Sequence, residues 1–155
     1  MTDMKIQDGF GLVTTQRSLP MALLRAREKV MARFRPLLIQ YDVTEQQWRV
    51  LRLIQETDEL DASQIADKAF ILAPSLSRII KTLEAKGLIS VRKDPVDGRR
   101  ALIGMTAAGH AFVAEVAPES ARIYDLIEAR VGRDRIKTLL DEVDALVAAL
   151  SEDKA

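Results

Sequence analysis

Apolar residues recur along most of this chain at three- and four-residue intervals, and the one stretch where they alternate instead lies just past its middle. Leu19, Leu23, Ala26, Val30, Phe34, Leu37 and Leu38 keep helical spacing to about Tyr41, the pattern of a helix with one apolar stripe. Ser18 is a good N-cap for it and Pro20 suits its first turn, whereas Pro36 should kink or locally break it near its end. A second helix, Glu45 to about Glu56, is announced by the capping box Thr44/Gln47 and turns Trp48, Leu51 and Ile54 inward. Thr57 to Asp61 reads as a polar turn. Asp61 with Gln64 makes another capping box, opening a short helix, Ala62 to Lys68, that buries Ile65 and Ala66.

The next helix, roughly Ala73 to Lys86, opens around Pro74 and stops at Gly87. Leu76, Ile79, Ile80 and Leu83 form its apolar stripe. The opposite face carries Ser75, Ser77, Arg78, Lys81 and Thr82, and no acid. Here the period changes. Leu88, Ile89 and Val91 read as a strand, Ala101, Leu102, Ile103 and Met105 as its return partner, and Arg92 to Arg100 as a loop turned by Pro95 and Asp97-Gly98. Thr106 then caps a helix that holds Gly109 early, should bend at Pro118, and ends at Gly132. A last helix, Asp134 to about Leu150, carries Ile136, Leu139, Leu140, Val143, Leu146, Val147 and Leu150. That face is broader than a core of this size can cover, which predicts a helix from a second copy against it.

These elements make a mainly α fold with a small β-hairpin, organised as a flexible arm over residues 1–17, a domain over 18–150 and a tail over 151–155. Within the domain, a lobe of about 44–106 sits between pairing helices of about 18–41 and 107–150. Two short helices with a tight connection make a helix-turn-helix, and the hairpin after it makes a wing.

Composition removes whole classes of function. The 155 residues include no cysteine and one histidine, His110, so disulfides, thiolate metal sites, thiol-based sensing and histidine-based metal clusters are excluded within one chain. No nucleophile-base pair or phosphate loop suggests an enzyme, and no metal or cofactor is expected. No apolar run reaches the length of a membrane span, so a cytoplasmic protein is expected. The net charge is zero, with 23 cations against 23 anions, but the charges are segregated. Residues 74–100 hold 7 cations and 3 anions, while 101–155 hold 6 and 10. The basic excess therefore coincides with the helix whose polar face is read without an acid and with the wing, where Arg and Lys can reach guanine acceptors or phosphates and Ser or Thr can reach either.

A helix followed by Gly87-Leu88-Ile89, a basic strand, Asp97-Gly98-Arg99-Arg100, and a short strand ending Met105-Thr106 resembles the recognition helix and wing of the MarR family of winged-helix regulators. The resemblance runs from roughly Ser18 to Leu150. The family usually has Leu where Met105 stands, and often a Ser where Ala73 stands. Ala73 offers no side-chain oxygen to the helix end, a difference of about 1 kcal/mol.

The resemblance implies a homodimer on a roughly palindromic double-stranded operator, with half-sites near 10 base pairs apart. Ser75, Ser77, Arg78, Lys81 and Thr82 would face the major groove, and Ser63 of the preceding helix would also bind the DNA. Arg99 would enter the minor groove, and Arg92, Lys93 and Arg100 would support it on the backbone. Asp97 has the wrong sign for a phosphate and is expected to orient Arg99 or Arg100 through a local ion pair. The alternative is a winged-helix module that docks on protein.

Arg27 falls within the apolar stripe of the first helix. Either its stem packs while its head reaches water or an acid, or it anchors a carboxylate ligand. Trp48 is likewise a core residue or the wall of an aromatic pocket. The runs Ser-Leu-Pro-Met-Ala-Leu-Leu-Arg-Ala-Arg and Thr-Glu-Gln-Gln-Trp-Arg-Val-Leu-Arg are similar to the branch of the family that represses homoprotocatechuate degradation. That similarity implies a repressor released by a small aromatic carboxylate, with Arg25, Arg27 and Trp48 as its pocket residues.

Overall fold

The computed structural model describes residues 17–151, so the expected arm, but for Arg17, and the tail, but for Ser151, lie outside the described residues. The elements follow in the order α1 (Leu19–Gln40), α2 (Glu45–Gln55), β1 (Glu59–Asp61), α3 (Ala62–Ala69), α4 (Ala73–Ala85), β2 (Ile89–Lys93), β3 (Ala101–Met105), α5 (Ala107–Val131) and α6 (Arg133–Ser151). Both capping boxes form as read from the sequence. The Thr44 and Asp61 side chains accept from the backbone N–H of Gln47 and Gln64, and each glutamine side chain accepts from the N–H of its cap.

The chain divides into two compact units. One runs from Leu37 to Asp125, and the terminal segments form the other. The central unit includes the end of α1 and most of α5. Leu38, Val43 and Val113 share one core with Val50, Leu51, Ile54, Ile65, Leu76, Leu83, Ile89 and Ile103. Trp48 is half-buried at its margin, edge-on to Phe112 at 6.3 Å, and Tyr41 meets Phe112 at 6.2 Å.

Three expectations need correction. The polar turn at Thr57–Asp61 contains a strand: β1 pairs antiparallel with β3, Leu60 opposite Ile103, giving a three-stranded sheet in the order β1-β3-β2. It escaped detection because three residues with one buried position, Leu60, carry no period. Arg92 and Lys93 are strand residues, paired with Leu102 and Ala101, and the wing loop proper begins at Asp94. α1 runs through Pro36 without a local break, and α5 likewise runs through Pro118.

The unit of terminal segments has a different character. α6 buries none of its residues, and Leu139, Leu140, Val147 and Leu150 are all more than half exposed. On α1, Leu19, Leu23, Leu24 and Val30 are also exposed. The apolar stripe of α1 is thus exposed over its first turns and buried only at its end, at Phe34, Leu37 and Leu38.

Candidate nucleic-acid interface

α4 owes its placement to its two ends. Its N-cap is Leu72, which makes no side-chain cap, and Pro74 lies in the first turn, where a missing N–H costs nothing. At the other end Gly87, at φ +76, donates to the Glu84 carbonyl while Leu88 donates to that of Leu83. This double closure is what a left-handed residue after a helix permits, and it turns the chain directly into β2. Leu76, Ile79 and Leu83 are buried, so the face bearing Ser77, Arg78 and Lys81 is turned outward.

The polar face is divided between two depressions. Ser77 and Lys81 join Ser63 and Asp67 of α3 along an open groove of about 730 Å³, whose floor includes Ile71, Leu76 and Ile80. Ser75, Arg78 and Thr82 lie on the other side, against Thr44, Gln46 and Gln47 at the start of α2. The Thr82 hydroxyl donates to its own helix, at the Arg78 carbonyl, 3.0 Å away. It can still accept.

The wing is a rigid turn. Asp94 N–H donates to the Arg100 carbonyl and Arg100 N–H to that of Asp97. Asp94 Oδ1 accepts from Val96 N–H, and Asp97 Oδ1 accepts from Arg99 N–H at 3.1 Å. Asp97 therefore shapes the turn through the backbone instead of the expected ion pair, because its Oδ1 faces the N–H two residues on. Arg99 stays exposed beside it.

The arginines at the base of the wing are engaged within the protein. Arg92 forks onto Glu59 of β1, Nε and Nη2 donating at 2.8 and 2.7 Å. Arg100 Nε donates to Asp61 Oδ2 at 2.6 Å, with further donations to Asp94 Oδ2 at 3.4 Å and to Gln64 Oε1 at 3.3 Å. The hydrogen bond from Arg92 holds the Glu59 carboxyl below the usual carboxylate range. Asp61 is lowered first by the Gln64 backbone N–H and then by Arg100, and Asp94 first by the Val96 N–H. No other described residue forms an ion pair with Arg78, Lys81, Lys93 or Arg99. These acids were missed because β1 was missed; only the Asp61/Gln64 capping box was visible in sequence.

The residues read as a ligand pocket are not gathered by the structure into one unit. Arg25 and Arg27 belong to the terminal unit and are exposed on α1, which for Arg27 accords with a head that reaches water or an acid. Trp48 belongs to the central unit. Nearby, Arg49 is taken up by structure, donating to the Ala69 carbonyl at 2.7 Å and to Glu45 at 3.0 Å.

A helix-turn-helix whose second helix shows cations and hydroxyls outward, with an arginine-tipped hairpin bolted beside it, defines a winged-helix DNA-binding protein. Residues 41–100 match the model of the MarR family. The chain is 39% identical over 137 residues to the HTH-type transcriptional regulator FarR of Neisseria gonorrhoeae, covering 86% of this chain and 94% of that one. It is 36% identical over 139 residues to the homoprotocatechuate degradative operon repressor of Escherichia coli, covering 88% and 94%. The crystal structure of NadR in complex with 4-hydroxyphenylacetate superposes with a TM-score of 0.75 at 38% identity, over 91% of this chain and 97% of that one. The chain belongs to the MarR family, whose members are transcriptional regulators and not enzymes.

Proposed function

We propose that this protein is a homodimeric, cytoplasmic repressor of an operon for the breakdown of aromatic compounds, released from its operator by a small aromatic acid. The observation that carries the DNA-binding part is the outward face of α4, where Ser75, Ser77, Arg78, Lys81 and Thr82 precede its one acid, Glu84, near the helix end, with Arg99 beside it. Ser75, Ser77, Arg78, Lys81 and Thr82 meet the major groove, Ser63 and Lys93 meet the backbone, and Arg99 meets the adjacent minor groove, where narrow A·T-rich stretches concentrate negative potential. Repression and the aromatic effector are supported by similarity to the homoprotocatechuate operon repressor and to NadR.

A second copy is the natural cover for the exposed apolar residues of α1 and α6. Two-fold pairing of recognition helices then favours a palindromic site with half-sites about one helical turn apart. An effector acts by binding better to a dimer whose recognition helices are wrongly spaced, and it weakens operator binding only by that difference in affinity. Trp48, Arg25 and Arg27 are the residues assigned to the effector.

The experiment is a titration of 4-hydroxyphenylacetate that follows Trp48 fluorescence and retention of DNA from the gene's own upstream region together. Parallel changes in both signals are expected. Retention that is insensitive to salt would remove the DNA-binding reading, and salt-sensitive retention with no response to the acid would remove the effector.

A further inference from the structure

We infer that Asp61 and Arg100 are positioning residues for the minor-groove arginine, and that Arg92 and Arg100, though basic and in the wing, do not serve as phosphate contacts. The inference rests on the DNA-binding reading above and assigns roles within that surface.

Asp61 sits where three parts of the central unit meet. It is the last residue of β1, opposite Leu102 of β3. It is also the N-cap of α3, its Oδ1 accepting from the Gln64 N–H at 2.7 Å. Its other oxygen, Oδ2, takes the Arg100 Nε at 2.6 Å. One carboxylate thus ties the first helix of the helix-turn-helix to the residue that closes the wing. Gln64 strengthens the tie, since its Oε1 accepts from both the Asp61 N–H and Arg100 Nη2.

Arg100 is fixed from the wing side as well. Its N–H and carbonyl close the turn onto Asp97 and Asp94, and Asp94 Oδ2 receives its Nη1. Arg99 is the next residue along, its own N–H held by Asp97. A guanidinium anchored on three acceptors, two of them anionic, has its charge compensated locally, and turning it toward a phosphate would strand those carboxylates. Arg92 is compensated in the same way by the fork onto Glu59. Direction is what remains for Arg100 to supply. It fixes the base of the loop relative to α3, and so fixes where Arg99 points when α4 is seated.

The test uses the full chain and a duplex that it selects from a randomised pool. Asp61→Ser keeps an N-cap oxygen and removes the carboxylate, Arg100→Gln removes the charge from the other side, and Arg99→Ala serves as reference. Affinity is measured on three duplexes that differ only beneath the wing: A·T pairs, G·C pairs, and inosine·C pairs, which restore the A·T-like minor groove. The wild-type chain should prefer A·T and inosine·C over G·C by roughly fivefold or more, the scale of one unfavourable base pair.

In Asp61→Ser and Arg100→Gln that preference should collapse to within about twofold, as in Arg99→Ala, while the slope of log affinity against log salt stays at the wild-type value. In an Arg99→Ala background neither variant should lower affinity further. A salt slope reduced by about one in Arg100→Gln would make Arg100 a phosphate contact and overturn the inference. Weaker binding with the flank preference intact would reduce the pair to fold stability and also overturn it. Failure of the wild-type chain to retain any duplex would overturn the DNA-binding reading, and this inference with it.

Discussion

The β-carbon of any residue but glycine at position 109 would lie 2.1 Å from the carbonyl oxygen of Leu88. Gly109 thereby lets the first turn of α5 rest against the start of the wing. Thr106 completes the joint, its hydroxyl donating to the Gly87 carbonyl at 2.7 Å and accepting from the Gly109 N–H at 3.0 Å. Recognition helix, wing and α5 are therefore fixed to one another within a few residues.

Gly109→Ala should destabilise the protein by about 1–3 kcal/mol, the range for overpacking, because the obstructing atom is backbone and cannot turn aside. Gly98→Ala, with nothing within 4 Å of the added carbon, should change stability little. Urea denaturation of the two variants makes the comparison.

Arg78 and Lys93 should fail in different ways. Arg78→Ala is expected to cost roughly 1–3 kcal/mol on the preferred duplex and to relax its sequence preference. Lys93→Ala should weaken every duplex alike and lower the salt slope by about one. Equal losses on selected and random DNA for Arg78→Ala would make that side chain a backbone contact instead.

Glu59, Asp61 and Asp94 all titrate lower in the folded protein than as ordinary carboxylates. Groups of this kind stabilise the fold fully above their unfolded values, and the contribution is lost as pH falls through the depressed folded values. Stability should therefore be flat from neutrality to the upper edge of the carboxylate range and decline below it. Asp61→Ser should shallow the decline, and denaturation midpoints across a series of acidic buffers would reveal whether it does.

Phe70 closes α3 in the left-handed region at φ 55 while its side chain is 89% exposed. Asparagine tolerates that backbone better than an aromatic residue does, so Phe70→Asn should raise stability by up to about 1 kcal/mol. Thermal melts of the variant and the wild-type chain provide the check; a lower midpoint would mean that the ring contributes to the fold despite its exposure.

The helices were legible because their signals are local. Thr44/Gln47 and Asp61/Gln64 announced α2 and α3, Gly87 announced the end of α4, and three- and four-residue spacing did the rest. The outward placement of Ser77, Arg78 and Lys81 followed directly from Leu76, Ile79 and Leu83 turning inward. What was not legible depends on partners far apart in sequence. β1 exists because Leu60 finds Ile103, and the engagement of Arg92 and Arg100 exists because β1 brings Glu59 and Asp61 beneath the wing. On α1 the spacing alone could not show that Leu19, Leu23 and Val30 are exposed in one chain while Phe34, Leu37 and Leu38 are buried.

No residue of α6 is fully buried by the chain that encodes it, and only Ile136, Val143 and Leu146 are partly covered. A helix in that position is held by whatever lies against its apolar side, so its persistence becomes a matter of mass action. If a second copy supplies that surface, diluting the protein should lower its melting midpoint, and protein abundance would govern both how much of it is folded and how much is able to act.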